Sequence, residues 1–314
     1  MITLKKYSPE FKPQWDNFVR ESRNATFLFL RDYMDYHSDR FRDSSWMAYK
    51  GGKIAAILPA NVTDDSILHS HQGLTYGGWI LPQRHIDGAD VLDIFNAAIM
   101  QWKEEGYVAL DYKPLPYIYA SRPSQEDEYA LFRLGAARVE CNLSTAIPLS
   151  KECAYNKLRR RALSRTSSLQ FTITECEDAG PLMKMVSDCL RDRHGAAPVH
   201  SLSEMQLLKN RFSKEIKFWL LEMEGEPQAA VCVYDTGIVA HAQYIATTPY
   251  GREQNLLTPL FHHLITVEYA PRAYFDFGTS NEDHGNYLNE GLLRQKASYG
   301  ATGVAYNRYN ITLL

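Results

Sequence analysis

Residues 275–291 read FDFGTSNEDHGNYLNEG. Phe275 and Phe277 flank Asp276 in the alternation of a buried strand, and no apolar residue follows from Gly278 to Asn286. Tyr287-Leu288-Asn289-Glu290 then reads as the opening of a helix. Small and polar groups thus fill the handover from strand to helix close to the C-terminal end of the sequence.

Working outward, the pattern predicts a strand over Ala273–Phe277, a helix over Arg252–Tyr269 before it, and a helix over Tyr287–Ser298 after it. Three strands precede these (Lys217–Glu224, Gln228–Asp235, Ile238–Thr247), with helices over Lys157–Ser168, Gly180–Arg193 and Ser203–Phe212. The first half has the same order. Helices are predicted over Pro9–Ser22 and Phe29–Phe41, then strands over Ser45–Tyr49, Lys53–Ala60 and Ser66–Ile80. A helix over Asp87–Glu105, a strand over Tyr107–Tyr112 and a helix over Glu126–Leu134 follow. GGKIAAILPANVTDDSILHSHQG from Gly51 and GEPQAAVCVYDTGIVAHAQYI from Gly225 share a Gly, an Ala-Ala pair, a turn with Asp, and a strand with His and Gln. His71-Gln72 thereby falls opposite His241-Ala242-Gln243. Asp111 precedes Gly135-Ala136 by 24 residues, and Asp276 precedes Gly300-Ala301 by 24. The equal spacing points to duplication, with units over residues 1–150 and 151–314.

Composition narrows the function classes. The 314 residues are 45% hydrophobic with a formal net charge of −3, which gives no global attraction to nucleic acid or anionic membrane. No apolar run approaches the ~20 residues of a membrane helix, and MITLKKYSPEFK has no apolar signal core, so a cytoplasmic location is the expectation. The five cysteines are scattered without a CxxC, as in a reduced protein. His69-Ser70-His71 and His262-His263 lack a third ligand at useful spacing, so no metal site is expected. The DFG triplet also occurs in kinases, but no Gly-rich loop with a strand Lys and no HRD-type loop accompany it.

The element order resembles the GNAT (acyl-CoA N-acyltransferase) fold. Two such units in tandem resemble the Fem-type peptidyltransferases and their FemAB-like relatives. YFDFGTSNEDHGNYLNEGLLRQKASYGATGV is similar to that group's strand–DFG-x-S–loop–LNEGL–Lys–aromatic-Gly pattern, and QGLTYGGWI at 72–80 is similar to another of its sequences. The resemblance implies a mixed α+β fold of two tandem GNAT-like units, each a mostly antiparallel sheet with splayed central strands flanked by helices. It implies a donor cleft in the second unit, between strands 238–247 and 273–277, with oxyanion-holding backbone near Tyr244, Ile245 and Ala246. Arg252 and Asn255 open the following helix, where acetyl-CoA enzymes carry small residues that cradle a pyrophosphate. Here Asn255 and Leu257 occupy those places.

Candidate chemistry follows from residue type. Lys296 could stabilise developing negative charge, Tyr287 could donate a proton to a leaving group, and His241 could accept one from an amine. Asp276, inside an apolar strand, must be paired, and orienting a neighbour is one use. Lys157-Leu158-Arg159-Arg160-Arg161 is the dense basic patch, with Arg159 and Arg160 candidates for substrate phosphates. The expected activity is N-acyl transfer from acetyl-CoA or another acyl-CoA to an amine of a small molecule or peptide. The alternatives are a Fem-type transfer from aminoacyl-tRNA to a cell-wall precursor, and a GNAT-fold protein that binds a ligand without catalysis. The oligomeric state is left open.

Overall fold

The computed structural model describes residues 1–150, 153–194 and 197–313. The chain divides into two units: unit 1 comprises Met1–Asn142, Asp283–Tyr287 and Ala305–Leu314, and unit 2 comprises Leu143–Glu282 and Leu288–Val304. The sequence reading puts the division near Ser150 and leaves the C-terminal strand in the second half. The structure counts Ala305–Leu314 with unit 1, because that strand supplies a neighbour to a unit 1 strand.

In unit 1, strands β1 (Ile2–Lys6), β2 (Trp46–Lys50) and β3 (Lys53–Leu58) form an antiparallel sheet, with helices α1 (Lys12–Arg20) and α2 (Arg31–Met34) in the β1–β2 connection. The single helix expected over Phe29–Phe41 is instead short turns on either side of α2. Strands β4 (Asn61–Val62), β5 (Ile67–His69) and β6 (Ala109–Tyr112) follow, with helix α3 (Gly88–Glu104) between β5 and β6, and helix α4 (Glu126–Arg133) after them. The strand expected over Ser66–Ile80 ends at His69, and the rest is loop. Trp46, Trp79, Phe95 and Trp102 fill the core, on which α3 lays Val91, Ile94, Phe95, Ala98 and Trp102. Gly135 at φ +71° ends α4 in a left-handed conformation that suits glycine.

Unit 2 takes the second part of strand β7 (Ala137–Pro148), then helix α5 (Lys157–Thr166), strand β8 (Thr172–Cys176), and helices α6 (Gly180–His194) and α7 (Leu202–Arg211). The antiparallel strands β9 (Ile216–Met223), β10 (Glu226–Asp235) and β11 (Val239–Thr247) come next. The helix expected over Arg252–Tyr269 is broken into α8 (Pro249–Glu253), α9 (Leu257–His263) and a π-helical turn, Leu264–Glu268. Pro259 has no N–H to give the preceding turn, so it fits only where a helix restarts. The chain then runs through β12 (Tyr274–Thr279), β13 (Asn281–Glu282), β14 (Tyr287–Leu288), α10 (Glu290–Ala297) and β15 (Thr302–Thr312). Phe261, Phe275, Phe277 and Tyr299 pack edge to face or stacked in the core under α9.

The two units repeat one local arrangement. In unit 2, β11 and β12 run parallel, with Val239 opposite Tyr274, Ala240 opposite Phe275 and His241 opposite Asp276. In unit 1, β5 and β6 run parallel, with Ile67 opposite Ala109, Leu68 opposite Leu110 and His69 opposite Asp111. His69, rather than His71, is therefore the counterpart of His241. His71 has left the strand, at φ +65°.

Candidate functional site

The β11–β12 ladder ends at His241 and Asp276, although both strands continue. On β11, Cys232 opposes Tyr244 while Val233 opposes Ala242, so Gln243 is an extra residue that bends the strand. On β12, Gly278 sits at φ +75°, a conformation that turns the chain and favours glycine. One strand bends and the other turns, and the edges separate. Gly278 serves this turn; it does not line the cavity that results.

That cavity, of about 600 Å³, lies wholly within unit 2. Ile245, Ala246 and Thr247 of β11 and Phe277 of β12 line it, with Gly251, Arg252, Asn255 and Thr258 from the α8–α9 region. Helix α10 adds Gln295, Lys296 and Tyr299, and α5 adds Arg159. Asn255 lacks glycine's freedom yet adopts φ +59°, so the backbone at the first small-residue place turns as a glycine would. At Gly251 a Cβ would lie 2.2 Å from the carbonyl of Gln228, which is why the chain passes so close to β10 there.

The cavity's charge is one-sided. Arg159, Arg252, Arg294 and Lys296 line it, and no Asp or Glu does among the described residues. Arg159 is buried: its Nε and Nη2 donate to Ser298 Oγ at 3.1 and 2.9 Å, and its Nη1 to Thr258 Oγ1 at 2.7 Å. The guanidinium lies over the Tyr299 ring at 4.0 Å. Hydroxyls, not carboxylates, hold it. Lys296 Nζ donates to the carbonyls of Gly278 at 2.8 Å and Thr279 at 2.6 Å, which leaves one of its three N–H donors. Burial lowers its pKa to about 8 against the opposing pull of Asp276.

Asp276 is fully buried and accepts from Ser144 Oγ at 2.6 Å, from His241 Nδ1 at 2.8 Å and from the Gly278 N–H at 3.1 Å. The sequence candidates thus fall into two groups. Lys296, Ile245, Ala246, Arg252, Asn255 and Arg159 line the cavity; His241 and Asp276 do not line it, and pair with each other where the β11–β12 ladder ends. Three others lie elsewhere. Tyr244 turns to His200, whose Nδ1 is 2.7 Å from its hydroxyl. Arg160 is exposed and donates to the carbonyl of Tyr155 at 2.9 Å. Tyr287 is not the start of a helix: it lies in the two-residue β14, is 57% exposed and does not line the cavity. Helix α10 starts later because Asn289 is its N-cap, accepting from the Leu292 N–H. Thr258, Ser298 and Tyr299 also line the cavity, and in the sequence only the aromatic-Gly pair Tyr299-Gly300 points to them.

Unit 1 ends its equivalent ladder differently. The Ser70 N–H donates to the Asp111 carbonyl at 2.8 Å, Ser70 Oγ accepts from the Lys113 N–H at 2.7 Å, and the Gly77 N–H donates to the Lys113 carbonyl at 2.8 Å. Tyr112 Oη accepts from the Trp79 N–H at 2.7 Å and donates to Asp127 at 2.8 Å. QGLTYGGWI is the segment that closes this gap. A Cβ at Gly77 would lie 1.8 Å from the Ser70 carbonyl, and one at Gly78 would lie 2.6 Å from Tyr112 Oη. The N-terminus of α3 is closed too, by a capping box in which Asp87 and Asp90 each accept the other's backbone N–H. Those carboxylates stand where a phosphate would have to come.

Residues 154–286 match the family model of the acetyltransferase (GNAT) domain. Among solved structures, the crystal structure of FemX aligns with 99% of this chain and 97% of its own, at 10% identity and a TM-score of 0.71. L-PGS from Bacillus licheniformis aligns over 96% and 91%, at 14% identity and a TM-score of 0.60. A tandem GNAT protein from the clavulanic acid biosynthesis pathway aligns over 100% and 99%, at 12% identity and a TM-score of 0.55. At these identities the likeness is one of fold, and the fold is the tandem GNAT arrangement. No curated protein matches the chain. No helix among the described residues is long and apolar enough to cross a membrane.

Proposed function

We propose that the chain transfers an acyl group from acetyl-CoA or another acyl-CoA to an amine of a small molecule or peptide, with the donor seated in the unit 2 cleft. The cleft's charge carries this reading: four cations and no carboxylate line it among the described residues, in a chain of net charge −3. A phosphate-bearing donor is the ligand class that such a lining favours.

The acyl arm lies along the edge of β11 beyond His241–Asp276, the last register pair of the β11–β12 ladder among the described residues. A backbone N–H of that edge holds the oxyanion. The amine nitrogen attacks the carbonyl carbon, and its proton passes to the His241 imidazole, which Asp276 orients through Nδ1. The C–N bond forms and the C–S bond breaks. Lys296, with a pKa of about 8, returns a proton to the departing thiolate, whose own pKa is ~8.5 for an ordinary thiol.

Calorimetric titration with CoA and acetyl-CoA tests donor binding; heat from neither ligand removes the reading. Lys296→Met tests the chemistry. Turnover should fall by ~10²-fold or more while CoA affinity changes little. Unchanged turnover takes Lys296 out of the mechanism. A second reading, aminoacyl transfer from a tRNA-borne ester, is supported by Lys296 before Tyr299-Gly300 and by the FemX-like fold at a TM-score of 0.71. Competition of a charged tRNA with CoA for the cleft separates the two.

A further inference from the structure

Helix α5 has two faces. Arg159, Ala162 and Thr166 are buried, and Arg159 lines the unit 2 cavity. On the outer face Lys157, Arg161 and Arg165 follow at i, i+4 and i+8, a ridge of ~12 Å at the rise of an α-helix, with Arg160 beside it. All four outer cations are exposed.

This placement works against the helix itself. The first turn holds no acidic residue, and Lys157, Arg159 and Arg160 stand at the positive end of the helix dipole. Like charges at i, i+4 repel along the ridge. The Asn156 cap, which accepts from the Arg159 N–H at 2.8 Å, and the buried face hold the helix instead. Among the described residues none of the four outer cations forms an ion pair; Arg160 donates to the carbonyl of Tyr155. Four uncompensated charges on one helix face, in a chain of net charge −3, call for an acidic partner.

The ridge adjoins the cavity mouth. Leu158, one turn before Arg161 on the same strip of α5, lines the cavity, as does Leu292 of α10. They are 63% and 38% exposed. Apolar side chains beside cations suit an amphipathic acidic helix, whose own apolar residues can cover them; a strand of phosphates has no such use for leucine. A partner on the ridge also stands over the entrance, so it either delivers the donor or blocks it. The phosphopantetheine arm of CoA is also borne, as a phosphodiester on serine, by acidic helical carrier proteins.

We infer that α5 docks an acidic acyl carrier protein, whose arm brings the thioester past Leu158 and Leu292 into the cavity while Lys157, Arg160, Arg161 and Arg165 pair with its carboxylates. The inference rests on the cavity's being a donor site and adds a second bearer of the same arm. The chemistry is that proposed for CoA: the amine nitrogen bonds to the acyl carbon, the C–S bond breaks, and the protonated thiol leaves on the carrier.

Fluorescence anisotropy of a labelled bacterial holo-acyl carrier protein, titrated with the whole chain, tests it beside calorimetry with CoA. The carrier should bind at about 50 mM salt and weaken ~10-fold or more by about 300 mM. Lys157→Glu/Arg161→Glu/Arg165→Glu should cut carrier affinity by ~10-fold or more and leave CoA affinity within ~2-fold, since none of the three lines the cavity. Retained CoA binding shows that the variant is folded. If it is not folded, Lys157→Gln/Arg161→Gln/Arg165→Gln decides, with the same direction and a smaller loss. No carrier binding at low salt overturns the inference, as does a variant that holds the carrier as tightly as the unaltered protein. Equal loss of CoA and carrier affinity in the glutamine variant gives the ridge to CoA. A tRNA, or phosphatidylglycerol vesicles, bound more tightly than the carrier and released by the same substitutions would give it to that partner, and either result overturns the inference. Absent carrier binding with CoA bound removes this inference alone. Absent CoA binding with the carrier bound removes CoA as the donor and leaves the docking surface, so the two fail separately.

Discussion

In unit 1 the parallel strands stop at His69 and Asp111, and the loop after β5 folds back over the gap, bonded to Lys113 and Tyr112. In unit 2 the parallel strands stop at the register-equivalent His241 and Asp276, and both edges run on apart around a cavity of about 600 Å³. One fold therefore carries its gap once filled from within and once left open. Filling takes a tight loop, with Gly77 and Gly78 where no Cβ fits, and a self-capped helix at Asp87. Opening takes a bulge at Gln243 and a left-handed glycine at 278. On the proposed reading, unit 1 is scaffold and unit 2 receives the donor.

Substitutions matched across the units put that contrast at risk. The largest effect belongs to the histidines: His241→Gln should lower kcat by ~10²- to 10⁴-fold, and His69→Gln should leave it near the wild-type value. Equal losses would erase the distinction. Next is stability in unit 1. Tyr112→Phe removes the acceptor for the Trp79 N–H and the donor to Asp127, all buried, and should cost about 1–3 kcal/mol in chemical unfolding while CoA affinity holds.

A pH dependence follows from the same cluster. Burial raises the Asp127 carboxyl to about 7, against a Tyr112 hydrogen bond that lowers it. The folded chain then holds a proton that the unfolded chain releases near its ordinary value of 3.8, so this group's stabilising contribution falls as pH rises from about 4 to 7. Asp127→Asn should flatten that part of the melting-temperature profile; an unaltered slope refutes the assignment. The smallest effect is expected at Arg294. It already meets exposed Glu290 at 2.7 Å, so Arg294→Ala should weaken CoA binding by no more than the ~1 kcal/mol of a surface pair.

Much of this was legible in the sequence. The equal spacing from Asp111 to Gly135 and from Asp276 to Gly300 reflects a shared strand–helix unit, and Gly300, like Gly135, has positive φ. Lys296, Arg252, Asn255 and Arg159 could be picked out because their place beside recognisable elements fixes which cavity they line. The misses have physical causes. His69 and His71 share a face at strand period, so only the register with Asp111 separates them. The Arg308–Asp111 contact joins residues 197 apart, and no local pattern encodes it. Leu288 and Glu290 suit a helix that would include Tyr287, but the cap at Asn289 starts the helix beyond it. Pro259 marks the break in the long helix, but the apolar run around it continues the helical period and masks that signal.

Backbone amide hydrogen exchange with and without saturating CoA tests most directly whether the open gap, and only that one, receives the donor. The account predicts new protection at residues 243–247 of β11 and in α10, with no change over residues 70–79 and 111–113. Protection confined to the unit 1 segment, or absent from both while CoA is demonstrably bound, would contradict it.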